Sequence, residues 1–172
     1  MHEHVRLCEI RAAQFWRGMS LTVGLISDTH GLLRPEAKRA LVNVGRIIHA
    51  GDIGSPAVLE ALRQIAPVDA IRGNNDRGPG WARSAPDTLL VELGGTRIFV
   101  LHDLKELDFE PAHRGIAVVI AGHSHRPAIT RQGGVLYINP GSAGPRRFSL
   151  PVTIGFLKLG KGPAWARIRE LL

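Results

Sequence analysis

The sequence predicts an α/β fold, because its first half alternates short apolar runs with helix-like segments and its second half is rich in hairpins. The apolar runs have the length and composition of buried parallel strands, and each helix-like segment between them begins with a proline. Paired glycines separate several of the later runs and favour tight turns. The chain of 172 residues is long enough for one domain with its own core.

The first half is expected to contain three strands and two helices. In chain order these are a strand over Leu21–Ser27, a helix over Pro35–Val44, a strand over Arg46–Ala50, a helix over Pro56–Ala66 capped by Ser55, and a strand over Val68–Arg72. Residues Asp76–Asp87 contain two prolines and two glycines and are predicted to form a loop.

The second half is expected to consist of hairpins around one buried strand. The predicted strands are Thr88–Leu93 and Thr96–Leu101 around Gly94-Gly95, Ile116–Ala121, Pro127–Arg131 and Val135–Asn139 around Gly133-Gly134, and Val152–Leu159 with Ala164–Leu171. The first half is therefore predicted to be a series of βαβ units, and the second half to be rich in hairpins.

Residues 1–18 precede this pattern and are interpreted as an N-terminal extension to a single domain over residues 19–172, with Met19 as a candidate natural start. The extension mixes charged and scattered apolar residues, unlike a secretory signal. No apolar run approaches the ~20 residues that span a bilayer. The single cysteine, Cys8, cannot form an internal disulfide. A cytoplasmic protein with no membrane partner is expected.

The net charge of +7 is compatible with nucleic acid, an acidic partner or an anionic substrate. The distribution of charge along the chain narrows the choice of partner. Residues 146–172 carry six basic residues and one acidic residue, whereas acidic and basic residues are nearly equal in number over residues 19–145. Aromatic residues make up only 5% of the chain, too few to predict a base-stacking platform. Nucleic acid is therefore ranked last among the candidate partners.

Polar side chains that can bind metals follow five of the predicted strands. They are Asp28, His30, Asp52, Asn74, His102, His123 and His125. The carboxyl ends of strands in α/β sheets form the edge where ligands bind. Glycines beside these residues are expected to allow sharp turns and to leave room for a bound group.

Each of these residues alone has a structural explanation, since Asp28 and Asp52 can cap turns or helices and Asn74 can occupy a left-handed turn. The complete set is harder to explain, because two carboxylates and four imidazoles are costly to bury without compensating charge. Seven ligands suit two cations with four ligands each if Asp52 is shared. The imidazole and carboxylate mixture suits transition metals better than calcium.

In this order the motifs resemble those of the calcineurin-like metallophosphoesterase superfamily. They are Asp28-Thr29-His30, Gly51-Asp52, Gly73-Asn74, His102 and Gly122-His123-Ser124-His125. The opening segment 25–31 and the run 138–142 followed by Pro145-Arg146 are similar to a small bacterial and archaeal phosphodiesterase group that includes the retromer scaffold subunit. The resemblance implies a four-layer αββα sandwich of two mixed β-sheets flanked by helices.

The resemblance also implies two divalent metal ions, with manganese expected first and nickel, cobalt, iron or zinc as alternatives. One ion would be held by Asp28, His30, Asp52 and His125, and the other by Asp52, Asn74, His102 and His123. The implied activity is hydrolysis of a small phosphodiester by attack of a metal-bridging hydroxide. Asp52, Asn74 and Asp76 are the candidate catalytic residues.

Two positions depart from the family pattern. Many members have Gly-Asn-His where this chain has Asn75, which cannot act as an acid. Asn75 is expected to bind substrate. Departure of the leaving group is then expected to depend on a proton from Asp76 or from solvent, or on the stability of the leaving group itself. Small members commonly have His-Gly-His where this chain has Asp103 after His102. Asp103 either orients His102 or is a solvated loop residue.

Several further residues have two interpretations. Arg126, Arg146 and Arg147 are candidate phosphate contacts because a guanidinium matches phosphate oxygens, and Arg146 is the one assigned to substrate binding. For all three, a solvated surface position is the simpler explanation. His49 either touches the site or, as we expect, is hydrogen-bonded within its strand. Trp81 either covers a substrate or packs within its loop.

The alternative function is a metal-binding protein-interaction scaffold with little or no catalysis, as the retromer subunit exemplifies. That subunit has lost part of the ligand set, whereas all seven positions are filled here, which favours an enzyme. A nuclease is the third hypothesis. Oligomers are conceivable through a sheet edge or through the basic C-terminal hairpin.

Overall fold

The computed structural model describes residues 20–78 and 80–172, which form two five-stranded sheets packed face to face. The predicted extension, residues 1–18, lies outside the described residues. The strands are β1 (Leu21–Ile26), β2 (Arg46–His49), β3 (Val68–Ala70), β4 (Thr88–Leu93), β5 (Thr96–Leu101), β6 (Val118–Ile120), β7 (Ala128–Gln132), β8 (Val135–Asn139), β9 (Thr153–Leu159) and β10 (Trp165–Glu170). The helices are α1 (Pro35–Leu41), α2 (Pro56–Arg63) and α3 (Trp81–Ser84).

Both sheets are mixed. The first has the order β10–β9–β1–β2–β3, with β1, β2 and β3 parallel and β9 antiparallel to both of its neighbours. The second has the order β4–β5–β6–β8–β7, with β5, β6 and β8 parallel and a hairpin partner at each edge. The βαβ units therefore build one sheet, and the hairpins complete both.

Three apolar clusters define the layers. The largest lies between the sheets and includes Val23, Ile48, Val100 and Ile120. A second joins α1 and α2 to the outer face of the first sheet. A third covers the outer face of the second sheet. The αββα sandwich is thereby confirmed.

The layer outside the second sheet is thin. It contains two 3₁₀ helices, Leu104–Glu106 and Pro111–Arg114. Pro111 begins the second of these and left-handed Gly115 ends it. The connection between β5 and β6 is therefore broken into single turns, which leaves no room for a longer α-helix.

The predicted strands are all present among the described residues, and their boundaries differ by a few positions. Both helices end earlier than predicted, at Leu41 and Arg63, although the apolar pattern continues beyond these residues. The Ser55 cap is confirmed, since its hydroxyl accepts a hydrogen bond from the Ala57 backbone N–H at 3.3 Å.

The predicted loop Asp76–Asp87 contains one element that the sequence did not indicate, helix α3. The Ser84 hydroxyl donates to the Trp81 carbonyl at 2.7 Å and closes this single turn. Trp81 packs against the cluster beneath α1 and α2, as its loop-packing interpretation expects. None of the helices among the described residues is long and apolar enough to cross a membrane.

A bidentate ion pair joins β2 to β3 at the end of the sheet where these strands begin. Arg46 Nε and Nη2 donate to the two carboxylate oxygens of Asp69 at 2.6 and 2.8 Å. The side chains are 15% and 2% exposed. Asp69 raises the pKa of Arg46 through these hydrogen bonds, which outweigh the opposing effect of burial. The pair therefore stabilises the two strands whose far ends carry Asp52 and Asn74.

We expect Asp69→Ala to lower the free energy of unfolding by about 3 kcal/mol, because it leaves a largely buried guanidinium without its partner. Urea denaturation of the variant measures the loss. The exposed pair of Arg39 and Glu36 on α1 provides the control, and Glu36→Ala should leave the urea midpoint nearly unchanged. Equal effects of the two substitutions would contradict the structural role given to Asp69.

Candidate metal centre

The loops that follow β1, β2, β3, β5 and β6 meet at one edge of the sandwich. Each of the seven predicted residues has an atom within 4 Å of another member. The contacts are His125 Nε2 to Asp28 Oδ1 at 3.2 Å, His30 Nε2 to His125 Nε2 at 3.5 Å, His30 Nε2 to Asp52 Oδ2 at 3.9 Å, His102 Nε2 to Asp52 Oδ2 at 3.4 Å, His102 Nε2 to Asn74 Oδ1 at 3.1 Å and His123 Nδ1 to Asn74 Oδ1 at 3.0 Å. The structure therefore brings the whole set together.

Two groups of these side chains have the geometry to hold a cation. Asp28, His30 and His125 form one, and Asp28, Asp52 and His102 form the other, with ligand atoms within 4.8 Å of one another in each group. The Asp52 carboxylate lies between His30 and His102. Its position fits the shared ligand that the sequence assigned to it.

Left-handed backbone is concentrated at this edge. Among the described residues, six that are not glycine have positive φ, and five of them are Asp28, His30, Asp52, His123 and His125. The left-handed conformation costs an ordinary residue about 1 kcal/mol or more, although Asp tolerates it better than most. Strain of this kind persists where the surrounding structure enforces it, and it is typical of functional sites.

Hydrogen bonds between the first two loops enforce this backbone. The amide groups of Asp28, His30 and Gly31 donate to the carbonyls of Gly51, Asp52 and Ile53 at 2.8 to 3.0 Å. The parallel pairing of β1 and β2 thus continues beyond the strand ends into the loops. Asp28 and Asp52 are consequently held side by side although both are buried.

Two glycines allow the remaining loops to approach. A Cβ on Gly73 would overlap the Asp52 carboxylate, and a Cβ on Gly122 would overlap the Ser27 hydroxyl and lie 2.9 Å from Asp28 Oδ2. Neither glycine has positive φ. Glycines at these positions were expected to provide turns and space for a bound group, but the space at these two is filled by the protein's own loops.

Asp52 is held as an anion by several donors. Burial raises the pKa of its carboxyl group. Hydrogen bonds from His102 and from the backbone and side chain of Asn75 lower the pKa by more than burial raises it, so the net pKa is well below the usual range. The Asn75 backbone N–H donates to Oδ1 at 2.8 Å and its amide donates to Oδ2 at 2.6 Å. This carboxylate is therefore charged and oriented at neutral pH.

His102 is oriented by the backbone. Its Nδ1 lies 2.7 Å from the Ala50 carbonyl, to which the ring donates, so that Nε2 faces Asp52 and Asn74. Burial lowers the pKa of His102, but the hydrogen bonds to Asp52 and Ala50 more than offset it and leave the pKa raised. A carbonyl partner of this kind is typical of histidines that ligate metals.

A buried oxygen of Asp28 without a hydrogen-bond donor also indicates that these residues can bind a divalent cation. Asp28 Oδ1 is buried and has no hydrogen-bond donor among the described residues, although Oδ2 accepts the His123 backbone N–H at 3.2 Å. A buried carboxylate oxygen without a donor costs free energy unless a cation or a proton compensates it. His125 Nε2 is the nearest ring nitrogen to this oxygen, and both are ordinary ligands of transition metals.

His49 lies beneath the centre and links two of its loops. It is fully buried, with Nε2 2.9 Å from the Thr29 hydroxyl and Nδ1 accepting the Gly51 N–H at 3.3 Å. Thr29 donates its own proton to the Ile53 carbonyl at 2.9 Å, so it must accept from His49 Nε2–H. The ring is therefore neutral, and burial lowers its pKa to about 4. The prediction of a hydrogen-bonded strand histidine agrees with this geometry.

Asp76 has structural contacts that its proposed role as a proton donor did not anticipate. Its carboxylate is buried and accepts hydrogen bonds from the backbone N–H groups of Ile53, Gly54 and Gly73 at 2.8 to 2.9 Å. Asp76 therefore joins the loops after β2 and β3.

The two proposed substrate contacts also differ from expectation. Asn75 is occupied by its hydrogen bonds to Asp52. Arg146 turns away from the centre, and its guanidinium donates to the Leu172 carbonyl at 2.9 Å. The arginine at the centre is instead Arg147, with Nη2 3.5 Å from His30 Nε2. Adjacent side chains point in different directions, and composition could not distinguish these two.

Asp103 lies beside a different histidine from the one considered in the sequence. Its Oδ2 is 3.6 Å from His123 Nε2, whereas His102 is held by Ala50. Asp103 also lines a cleft of about 620 Å³ beside Asn74, His102 and His123. Arg72 and Asp87, which also line the cleft, form an exposed bidentate pair.

Comparisons with known proteins agree with this architecture. The profile of the calcineurin-like phosphoesterase superfamily domain matches residues 21–162. A probable metallophosphoesterase of Methanothermobacter thermautotrophicus is 35% identical over 143 residues, which cover 76% of this chain and 82% of the relative.

Two solved structures are also similar. One, described as a novel archaeal phosphodiesterase, has a TM-score of 0.73 and 27% identity and covers 87% of this chain and 100% of its own. Vacuolar Protein Sorting 29 from Cryptosporidium parvum has a TM-score of 0.71 at 18% identity, and the match covers 88% of this chain and 97% of that protein's chain. The second likeness concerns the fold alone.

We expect the buried His49 to make the metal-free protein sensitive to acid. Its pKa is about 4 when folded and ~6.5 when unfolded, so its stabilising contribution is complete above pH 6.5 and is lost as the pH falls from 6.5 toward 4. The loss amounts to about 3 kcal/mol. Urea denaturation across this range, compared between the wild type and His49→Gln, isolates it.

The comparison also removes the contribution of the other histidines, because they titrate in both proteins. Gln can donate to Thr29 but has no proton to gain. Parallel stability curves for the two proteins between pH 6.5 and 4 would show that His49 is not the buried neutral group described above.

Proposed function

The chain belongs to the calcineurin-like phosphoesterase superfamily, and from this membership we propose that it is a dinuclear-metal-dependent phosphodiesterase. Water cleaves a phosphorus–oxygen ester bond of a small phosphodiester and releases a phosphomonoester and an alcohol. The observation that carries the proposal is the convergence of seven ligand-type side chains with Asp52 between two groups of histidines. Manganese is the ion proposed first.

The proposed ligand sets are those that the family resemblance implies, and the contacts of Asp52 with His30 and His102 support them. Asp28, His30, Asp52 and His125 would hold one cation, and Asp52, Asn74, His102 and His123 the other. When bound, the two cations supply Lewis acidity and a water that ionises near neutral pH. The chain contributes a permanently charged Asp52, a His102 ring fixed by Ala50, and an Asp28 oxygen with no competing donor.

The chain offers the leaving group little help. Asn75 carries no ionisable proton and is hydrogen-bonded to Asp52, and Asp76 is engaged by three backbone amides. The departing oxygen must then take its proton from solvent. We therefore propose that the enzyme prefers esters whose leaving groups are stable as anions.

The second candidate is a metal-binding scaffold with little catalysis. Its support is the fold shared with Vacuolar Protein Sorting 29. The complete ligand set and the cleft beside it favour hydrolysis, because a scaffold needs no open face next to its metals. Measured turnover separates the two candidates.

Asp52→Asn should reduce manganese-dependent hydrolysis of bis(p-nitrophenyl) phosphate on the order of 1,000-fold, because the shared anionic ligand is lost. Release of p-nitrophenolate measures the rate, with chelator-treated and manganese-reconstituted samples in parallel. Asp87→Asn is the matched control, since Asp87 lines the same cleft but is exposed and paired with Arg72. Unchanged activity of Asp52→Asn, or full activity after metal removal, would overturn the proposal.

Asn75→His should supply the missing acid. We expect it to raise hydrolysis of a phenyl ester, relative to the corresponding p-nitrophenyl ester, by at least about tenfold, because a general acid assists the poorer leaving group more. Asn75→Gln serves as the control, since it keeps an amide and adds no proton. A ratio of rates that does not differ among the wild type and the two variants would contradict the solvent-protonation proposal.

A further inference from the structure

The segment after the turn at residues 139–142 places an arginine beside the metal centre and an exposed aromatic residue next to that arginine in the chain. Arg147 Nη2 lies 3.5 Å from His30 Nε2. Phe148 follows directly and is 94% exposed, so its ring is available to a bound molecule.

The backbone of Phe148 is strained. Its φ is 53°, and the Leu150 N–H donates to the Arg147 carbonyl at 3.1 Å to close a turn around it. Phe148 occupies the first central position, which type II′ turns usually fill with glycine. Six residues other than glycine have positive φ among the described residues, and the five besides Phe148 are all candidate metal ligands. Strain at a bulky residue points to a functional constraint.

The base of this segment is fastened to the loop that carries Asp28 and His30. Ser142 Oγ donates to the Asp28 carbonyl and the Ala143 N–H donates to the Ser27 carbonyl, both at 3.0 Å. Arg34 Nε donates to the Gly144 carbonyl at 3.0 Å. The segment therefore has a fixed position relative to the centre.

We propose that Arg147 and Phe148 form a substrate-binding lip. The guanidinium binds the phosphate oxygens, for which its paired donors are suited, and the ring stacks on a planar group of the ester that stays with the product phosphate. The preferred substrates are then phosphodiesters with an aryl or nucleoside substituent. This inference rests on the proposed phosphodiesterase function.

A single ring does not suffice as a docking surface for a protein. Stable interfaces bury roughly 800 Å² on each partner, whereas the immediate neighbours of Phe148 in the chain, Arg147 and Ser149, are polar and exposed. One aromatic side chain beside an arginine suits a small planar anion. A second copy of the chain is therefore an outcome for the test to exclude.

The test compares two esters with the same leaving group on the manganese-loaded full chain. The p-nitrophenyl ester of thymidine 5′-phosphate carries a planar base, and methyl p-nitrophenyl phosphate does not. Phe148→Ala should raise KM for the thymidine ester about tenfold, the effect of losing one stacked ring, and leave KM for the methyl ester within about twofold. Arg147→Met should raise KM for both esters by the same factor, because both contain the phosphate that the guanidinium binds.

Matched variants separate stacking from bulk. Phe148→Leu keeps an apolar side chain without a planar face and should behave as Phe148→Ala, whereas Phe148→Tyr should behave as the wild type. Phe148→Gly should raise the urea midpoint of the protein without substrate, because glycine relieves the left-handed strain.

The outcomes distinguish the two proposals. Hydrolysis of neither ester by the wild type with manganese would overturn the phosphodiesterase itself. Hydrolysis of both esters with equal KM changes in Phe148→Ala would overturn only the lip. Equilibrium dialysis of phenylphosphonate against methylphosphonate gives a readout independent of turnover, and equal affinities in the wild type would also overturn it. The lip would also be overturned if the wild type sediments as a dimer and Phe148→Ala sediments as a monomer.

Discussion

The left-handed backbone at Asp28, His30, Asp52, His123 and His125 is the constraint on which the rest of this structure depends. At about 1 kcal/mol each, five such residues together cost an amount comparable to the lower end of a domain's total stability. The cost is met by hydrogen bonds that continue the β1–β2 pairing into the loops. Close contact between the loops, which Gly73 and Gly122 permit, adds to this support. The sandwich supplies the rigid strands that hold these loops together.

Beneath the ligands, buried polar groups keep the loops in place without contacting a substrate. His49 joins the loop after β1 to the loop after β2 through Thr29 and Gly51, and Asp76 joins the loop after β2 to the loop after β3. Both residues carry chemistry that suggests catalysis, yet their hydrogen bonds are fully used. The centre therefore combines largely buried ligand side chains with hydrogen-bonded polar groups beneath them, an arrangement that suits binding of cations and of an anionic ester.

Much of the fold and the ligand set could be predicted from the sequence. Apolar runs that end in Asp, Asn or His gave the strands and the edge together, because strand polarity places their carboxyl ends on one side. Side-chain direction could not be predicted. Whether Arg146 or Arg147 faces His30, and whether Asp103 faces His102 or His123, depends on loop conformation that neighbouring residues do not determine. The strain at Phe148 has no sequence signal, since it requires knowledge of φ.

The central claim is that Asp52 is shared by two cations at this edge. Anomalous diffraction from crystals grown with manganese tests it directly. We expect two manganese peaks that both contact the Asp52 carboxylate, with Asp28, His30 and His125 around the first and Asn74, His102 and His123 around the second. A single peak, or two peaks that do not share Asp52, would contradict it.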